Sequence, residues 1–274
     1  MSKVLAFFVH PKEVPVSIKS LLVIASSASE EGPLRMAFAL AKRHGTDVAV
    51  LHVKPSPVII YSGMGGEVPA SFLEAQVREA ESVAMAIKAK VEASAGQAGV
   101  GIEWRCEEGD EVGIAAVHAR YADMTVATPD VCRDLVFASA TPVLAVPASF
   151  NAQAPRRVLI AWNGSREAAR AVHDALPMLQ AADSVDVVVV DPAGEAIGMD
   201  FARSLARHGV KVEVRERLSG GAEVGELLLE EVKTSGADML VMGAYGHSRF
   251  REWVLGGATE EVMDQGKVPA LLSH

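Results

Sequence analysis

Two glycine pairs near the C-terminus are the feature of this sequence whose spacing could bind a ligand. Gly243 and Gly246 are followed, after nine intervening residues, by Gly256 and Gly257 and then by a predicted helix. Glycine lets the backbone approach a ligand closely and adopt positive φ. The N–H groups at the start of a helix are free, and the helix dipole there favours an anion. The spacing therefore predicts a phosphate site, although the same glycines could be turn residues only.

Side chains around these glycines could add to that site. Thr259, at the start of the predicted helix, could cap it or donate its hydroxyl to a phosphate oxygen. His247 and Arg249 place donor groups close by in an otherwise acidic chain, and Tyr245 could stack on a ligand or face solvent. The residues predicted to form the phosphate site are Met242, Gly243, Gly246, His247, Arg249, Gly256, Gly257, Ala258 and Thr259.

A buried strand must position these glycines. Residues 237–243 form a short, unbroken apolar run, which is typical of such a strand. Similar runs alternate with stretches of helical periodicity, which predicts parallel strands joined by right-handed helical crossovers. Sheets of this kind bind ligands beyond the carboxyl ends of their strands, where the strand order reverses. In the C-terminal half the predicted strands are 157–162, 185–190, 210–217 at a sheet edge, 237–243 and 269–273. One predicted helix begins after Ser165, and the other three are 197–208, 222–235 and 259–265.

The sequence also repeats internally, which decides the architecture. Three landmarks recur in the same order: LVIA at 22–25 and VLIA at 158–161, ADMTV at 122–126 and ADMLV at 237–241, and Pro142 and Pro269. We therefore predict two doubly wound α/β domains, each with a five-stranded parallel sheet, at residues 1–149 and 156–274. In the first, the predicted strands are 20–26, 47–53, 101–107, 122–128 and 142–147, and the predicted helices are 31–44, 71–95 and 111–121.

Composition excludes several classes of partner. The net charge of −9 and the pI of about 5.4 disfavour binding to nucleic acid or to anionic lipid. No apolar run approaches the roughly 18 residues of a membrane span. The two cysteines are far apart in the sequence, which indicates neither a disulfide framework nor a thiolate metal site, and a cytoplasmic location is expected.

The glycine spacing, placed after ADMLVMG and before a helix, resembles the nucleotide-binding signature of universal stress proteins. The segment AWNGSREAARAV, residues 161–172, is similar to that family too. The resemblance implies two copies of an adenine-nucleotide-alpha-hydrolase-like fold and a stress-response sensor or regulator that binds ATP, or else ADP or AMP. It also implies that the last strands of the two halves pair within the chain and that the protein forms a homodimer.

The resemblance assigns further residues. It implies that the glycine loop holds the phosphates and ribose, and that Asn163 at the end of the first strand of the copy lies near the nucleotide. Backbone at Val190 and Asp191 would lie by the adenine. Ala161 and Trp162 precede Asn163, and Trp162 could either flank the base or fill space. Two departures weaken the expected site: Gly257 replaces a common Ser or Thr, and Asn163 replaces the usual Asp, which would ligate Mg²⁺ better.

The N-terminal copy is expected to lack a phosphate site. Alignment places Thr128 where Gly243 stands and Ser27 where Asn163 stands. The interval from Ala122 to Pro142 is 12 residues shorter than the matching interval of the other copy, so the loop is missing there.

Three functions stay open on these grounds. The first is a non-catalytic ATP sensor, and the second is a slow ATP-hydrolysing enzyme, for which Glu252, Glu260 and Asp191 are the candidate carboxylates. The third is a scaffold without a ligand. Valine at both Gly243 and Gly256 is expected to abolish nucleotide binding without unfolding the chain.

Overall fold

The computed structural model describes residues 17–57, 70–151, 153–192, 197–245 and 257–274. Within these residues strands and helices alternate along most of the chain, as the periodicity predicts. The elements are β1 (Ser20–Ile24), α1 (Glu31–His44), β2 (Asp47–Lys54), α2 (Ala70–Ala98), β3 (Ile102–Glu108), α3 (Glu111–Ala119), β4 (Met124–Ala127), α4 (Pro129–Ala138), β5 (Val143–Ala145), β6 (Arg157–Ala161), α5 (Arg166–Ala181), β7 (Ser184–Val190), α6 (Ile197–Arg207), β8 (Val212–Arg217), α7 (Val224–Ser235), β9 (Met239–Gly243), α8 (Gly257–Gln265) and β10 (Ala270–Ser273).

All ten strands form one sheet in the order β3-β2-β1-β4-β5-β10-β9-β6-β7-β8. Strands β1–β5, the N-terminal half, are parallel to one another, and so are β6–β10, the C-terminal half. The halves meet where β5 pairs antiparallel with β10, centred on Leu144 opposite Leu271. The expected five-stranded, doubly wound plan is therefore confirmed, and the last strands of the two halves do pair. Strand β8 lies at a sheet edge, as its alternating pattern predicts.

Helices cover both faces of the sheet. Helices α1, α2, α5 and α6 pack on one face, and α3, α4, α7 and α8 pack on the other. The neighbouring residues Val187 and Val188 of β7 are both buried, one in each layer. A strand buried on both faces needs a continuous apolar run, and this is why β7 consists largely of valine. Among the described helices none is both long and apolar enough to cross a membrane.

Two aspartates mark the repeat in three dimensions. The carboxylate of Asp123 accepts a hydrogen bond from the N–H of Ser20 at 2.9 Å, and that of Asp238 accepts one from the N–H of Arg157 at 2.9 Å. Each carboxylate thus fastens the start of the first strand of its half. Ser20 and Arg157 are therefore equivalent, so the residue that corresponds to Asn163 is Ser26. The sequence alignment, which placed Ser27 there, was wrong by one residue.

Helix α4 is an element that the sequence analysis missed. The prediction ran directly from strand 122–128 to strand 142–147, but residues Pro129–Ala138 form a helix with an apolar stripe, including Val131 and Leu135, that is buried. Pro129 was a misleading signal, because proline is tolerated in the first turn of a helix. The N-terminal half therefore keeps the helix before its last strand and lacks only the loop.

Candidate functional site at the switch point of the C-terminal half

The carboxyl ends of β6 and β9 lie side by side at the point where the strand order of the C-terminal half reverses. Strand β6 has β7 on one side and β9 on the other. The chain leaves β6 through α5 on one face and returns to β9 through α7 on the other. Neighbouring crossovers that diverge in this way open a crevice at the carboxyl edge. Asn163 follows β6 and Gly243 ends β9, so the fold brings both residues to this crevice.

The turn between β6 and α5 is held by its own side chains. The N–H of Ser165 donates to Asn163 Oδ1 at 3.0 Å, and Ser165 Oγ accepts from the N–H of Ala168 at 3.1 Å. Ser165 is therefore the N-cap of α5, as predicted. Asn163 is exposed and fixed by the first of these bonds, which places a polar side chain at the mouth of the crevice.

Gly243 is a glycine because β9 packs against the start of α5. A Cβ at Gly243 would lie 2.4 Å from the N atom of Ala168 and 2.5 Å from the carbonyl carbon of Glu167. Helix backbone cannot move aside without displacing α5. Valine at Gly243 would therefore disrupt the fold, so the double-valine variant expected to stay folded is a poor probe of binding.

The start of α8 has room for a ligand. Gly257 is the first residue of the helix, and a Cβ there would meet no atom of the described residues within 4 Å. The first N–H groups of a helix have no partner within the helix, and those of Gly257 and Ala258 have no backbone partner elsewhere in the described part of the chain. Thr259 is the third residue of α8 and is 3% exposed. It therefore does not cap the helix, because a cap precedes the first turn.

Tyr245 is half-buried and packs against α4. Its ring centroid lies 4.4 Å from that of Phe137, and its hydroxyl donates to Glu260 Oε1 at 2.5 Å. Burial and the bond to Glu260 raise the pKa of Tyr245, so the phenol stays protonated and a donor. Its φ of 54° is a left-handed conformation that non-glycine residues seldom adopt.

Trp162 packs against α6. Its ring stacks on Phe201 with centroids 3.8 Å apart and planes 7° from parallel, which supports the space-filling alternative. The two rings line a cavity of about 300 Å³ between α5 and α6, together with His173 and His208. The Nε1 atom of Trp162 is buried and has no hydrogen-bond partner in the described part of the chain.

The end of β7 lies next to β6 at the same edge of the sheet. Val190 is half-buried, and Asp191 is exposed with a φ of 47°. Asp191 Oδ1 accepts from the N–H of Ser219 at 2.9 Å. Bonding to Ser219 lowers the pKa of Asp191, so this carboxylate is ionised and holds the turn after β8.

The carboxylates considered for hydrolysis already hold hydrogen bonds where the structure describes them. Glu260 is bonded to Tyr245 and Arg133, and Asp191 is bonded to Ser219. Within the described ranges no group of three or more His, Cys, Asp or Glu side chains is arranged to hold a metal ion. Five residues predicted for the site or for hydrolysis lie outside the described ranges: Gly246, His247, Arg249, Glu252 and Gly256.

Helix α4 reaches this site from the N-terminal half, which the sequence analysis did not foresee. Phe137 packs on Tyr245, and Arg133 Nη1 donates to Glu260 Oε2 at 3.0 Å. The helical spacing of Val131, Cys132 and Leu135 is the signal that could have found α4. No sequence signal indicated its packing against α8.

The sequence comparisons each concern just under half of the chain. Residues 155–274 match the universal stress protein family. The chain is also similar to Universal stress protein Slr1230 of Synechocystis, with 32% identity over 136 residues that cover 47% of this chain and 46% of that protein. The match thus spans just under half the length of this relative.

The structural comparisons concern almost the whole chain. A universal stress protein from Archaeoglobus fulgidus superposes with a TM-score of 0.69 and 19% identity, over 94% of this chain and 96% of that one. A functionally unknown protein from Pseudomonas aeruginosa superposes with a TM-score of 0.56 and 16% identity, over 93% and 92% of the two chains. At these identities the likeness establishes the fold. Residues 155–274 thus match the universal stress protein family, and the fold is shared over almost the whole chain.

Proposed function

We propose that this protein binds an adenine nucleotide, ATP in the first instance, at the switch point of its C-terminal half and acts as a stress-response sensor or regulator. In this account residues 156–274 are the nucleotide-binding domain. Residues 1–149 are a degenerate copy without a phosphate loop. ADP or AMP could occupy the same site, and Mg²⁺ would accompany the phosphates of ATP.

The position of the additional residues carries the proposal. In the N-terminal half β4 ends at Ala127 and α4 begins at Pro129, whereas in the C-terminal half β9 ends at Gly243 and α8 begins at Gly257. The 12 extra residues of the C-terminal interval therefore fall between β9 and α8, at the crevice. A glycine-containing loop that leads into a helix start at this place is suited to bind phosphate.

Charge and backbone chemistry favour the same half. Pro129 has no N–H to offer, and Asp130 places a carboxylate in the first turn of α4. Burial raises the pKa of the nearby Glu30, and the carboxyls of Glu111 and Asp130 raise it further. An anion would be repelled there, whereas the start of α8 presents the N–H groups of Gly257 and Ala258, which no described backbone group accepts.

The remaining assignments follow from this placement. The phosphates would contact the N–H groups of residues 256–258 and the hydroxyl of Thr259, with His247 and Arg249 supplying further donors. Asn163 would bond the sugar or the phosphates with its amide. The adenine would lie against the backbone of Val190 and Asp191. We favour a sensor because Glu260 and Asp191, two of the candidate bases, already hold hydrogen bonds that fix the structure.

The test begins with the purified full chain. It is denatured, and the released small molecules are identified by mass spectrometry; the stripped and refolded chain is then titrated with ATP and Mg²⁺ by calorimetry. Gly257→Val fills open space at the proposed phosphate position and should weaken ATP binding by at least about tenfold. Gly101→Val is the matched control, because a Cβ at Gly101 also has no described atom within 4 Å and the residue lies in the other half.

The outcomes separate the three candidate functions. Released ATP or a calorimetric signal that Gly257→Val removes and Gly101→Val keeps supports the sensor. Steady formation of ADP during incubation with ATP would favour the enzyme. An absence of both a released nucleotide and a binding signal would leave the scaffold and refute the proposal.

A further inference from the structure

Helix α4 of the N-terminal half holds both ends of the segment that joins β9 to α8. At the β9 end, Phe137 packs on the ring of Tyr245 at a centroid distance of 4.4 Å. At the α8 end, Arg133 forms an ion pair with Glu260 at 3.0 Å and a second one with Asp264. The half without a phosphate loop therefore contacts the loop of the other half at its entry and at its exit.

The two contacts are linked to each other. Glu260 accepts from the hydroxyl of Tyr245 through Oε1 and from Arg133 through Oε2. One carboxylate thus joins the first turn of α8, the beginning of the loop and α4. Hydrogen bonds to a charged group are stronger than neutral ones, and the side chains of Arg133 and Glu260 are only 29% and 23% exposed.

The last residue of the chain strengthens the contact at the loop entry. His274 Nδ1 lies 3.1 Å from the carbonyl oxygen of Ala244, and its ring meets the ring of Phe137 edge-on at 5.2 Å. Phe137 therefore supports Tyr245 directly and Ala244 through His274. The left-handed conformation of Tyr245 costs conformational energy, so it persists because these neighbours hold it.

These contacts are separate from the seam that joins the halves. Strands β5 and β10 already pair through the backbone around Leu144 and Leu271. Phe137 is 39% exposed and lies at the rim of the molecule and not in its core. What Phe137 and Arg133 add is a fixed geometry for the loop ends, whose N–H groups must converge on a ligand.

We propose that Phe137 and Arg133 are positioning residues through which the N-terminal half sets the nucleotide affinity of the C-terminal half. This inference rests on the proposed function. The coupling is reciprocal, because a ligand that holds Tyr245 and the first turn of α8 in place stabilises the contacts of Tyr245 and Glu260 with α4. Nucleotide binding would thereby be communicated to the N-terminal half without a second nucleotide.

The experiment compares ATP affinity in four full-length chains by calorimetry: wild type, Phe137→Ala, Arg133→Lys and Phe72→Ala. Phe72 is the matched control, since it is 46% exposed on α2 and belongs to a helix that packs on the opposite face of the sheet. Phe137→Ala should raise the Kd for ATP about tenfold, within the usual range of coupling between sites. Arg133→Lys keeps the charge but loses the forked geometry, so its effect should be smaller.

A second readout separates positioning from general loss of stability. In the absence of ATP, amide hydrogen exchange at residues 244, 245 and 257–260 should accelerate in Phe137→Ala, while exchange in β6 and β7 stays as in wild type. Phe137→Tyr, which keeps the ring, should restore both affinity and protection. If Phe137→Ala does not fold, Arg133→Gln takes its place in both measurements.

The results distinguish the two proposals. If the wild-type chain does not bind ATP, the proposed function fails and this inference fails with it. If the wild type binds ATP and Phe137→Ala binds as tightly as Phe72→Ala, the inference alone is overturned. Weaker binding in Phe137→Ala together with faster exchange confined to the loop ends supports it.

Discussion

The switch points of the two halves lie among equivalent strands and helices, but they differ in the segment that joins a strand to the helix after it. In the N-terminal half, Thr128 leads from β4 directly into α4, and Pro129 and Asp130 occupy the first turn. In the C-terminal half, 12 additional residues separate β9 from α8, and the helix begins with Gly257 and Ala258. The first arrangement offers few donors and adds negative charge, whereas the second begins with N–H groups that have no backbone partner in the described part of the chain.

This difference shows that the fold and the proposed chemistry are separable. Helices α4 and α8 pack on the same face, and each precedes the strand at the centre of the sheet. The N-terminal half demonstrates that the architecture does not need the loop. The proposed function gives the additional residues of the C-terminal half a role in binding a ligand, and four predictions challenge or sharpen this comparison.

The largest effect is expected for Gly243→Val. The new side chain would overlap the backbone of Glu167 and Ala168, and overpacking against helix backbone should lower the free energy of unfolding by about 3 kcal/mol. Urea denaturation measures this loss. The open position Gly101 provides the control, where valine should cost less than about 1 kcal/mol. Equal stabilities of the two variants would show that β9 does not pack against α5 as described.

Deleting residues 244–255 converts the C-terminal connection into one of the N-terminal length. Because the N-terminal half folds with such a connection, the shortened chain should keep the circular dichroism spectrum of the wild type. It should lose the contact of Tyr245 with Phe137, and with it some stability. Calorimetry should detect no ATP binding. A shortened chain that binds ATP like wild type would disprove a role for the loop.

Asn163→Asp tests the other side of the crevice. An aspartate can still accept the hydrogen bond from the N–H of Ser165, so the turn before α5 should be kept. A carboxylate ligates Mg²⁺ better than an amide. ATP binding should tighten about threefold, or roughly 0.6 kcal/mol, when Mg²⁺ is present. With EDTA the gain should vanish, and a gain that persists in EDTA would argue against metal ligation at this position.

The smallest effect is expected for Glu30→Gln at the N-terminal switch point. Burial and the carboxyls of Glu111 and Asp130 raise the pKa of Glu30 above its ordinary value of 4.5. A carboxyl with a raised pKa contributes its stability below the unfolded value, and that contribution is lost as the pH rises through the folded value. Glutamine should therefore stabilise the chain at pH 7, by less than about 1 kcal/mol after screening.

Thermal unfolding at two pH values checks this prediction. The advantage of Glu30→Gln should shrink towards zero near pH 4, where the wild-type carboxyl is protonated in both states. An advantage of the same size at pH 4 and pH 7 would mean that the substitution acts through packing and not through the charge of Glu30.

Much of the fold could be predicted from local patterns. Strand β7 is a valine run because it is buried on both faces, and Ser165 caps α5 as its sequence position suggested. The repeat could be found from short motifs that contain Asp123 and Asp238. These two residues recur because each accepts a hydrogen bond from the N–H at the start of the first strand of its half. The sequence alignment placed Ser27 opposite Asn163, one residue away from the structural equivalent Ser26. The error arose because apolar residues of the two first strands can be aligned in more than one register, whereas the hydrogen bonds of the aspartates fix the register.

The site was harder to predict, because its residues depend on tertiary contacts. Gly243 was assigned to the ligand, but the backbone of α5 requires glycine there in any case. For Tyr245 the sequence offered a ligand contact or solvent, whereas its ring packs on Phe137 of α4, a contact that neither alternative included. No pattern within either half encodes a contact between them, and α4 itself was hidden by a proline at its start.

The central claim is that free N–H groups at the start of α8 bind the phosphates of a nucleotide. The most direct test is a two-dimensional ¹H–¹⁵N spectrum of the full chain during titration with ATP and Mg²⁺. We predict that the amide signals of Gly257 and Ala258 move strongly, while those of Thr128 and Asp130 at the N-terminal switch point do not. Amide signals of Gly257 and Ala258 that stay in place at saturating ATP would contradict the account.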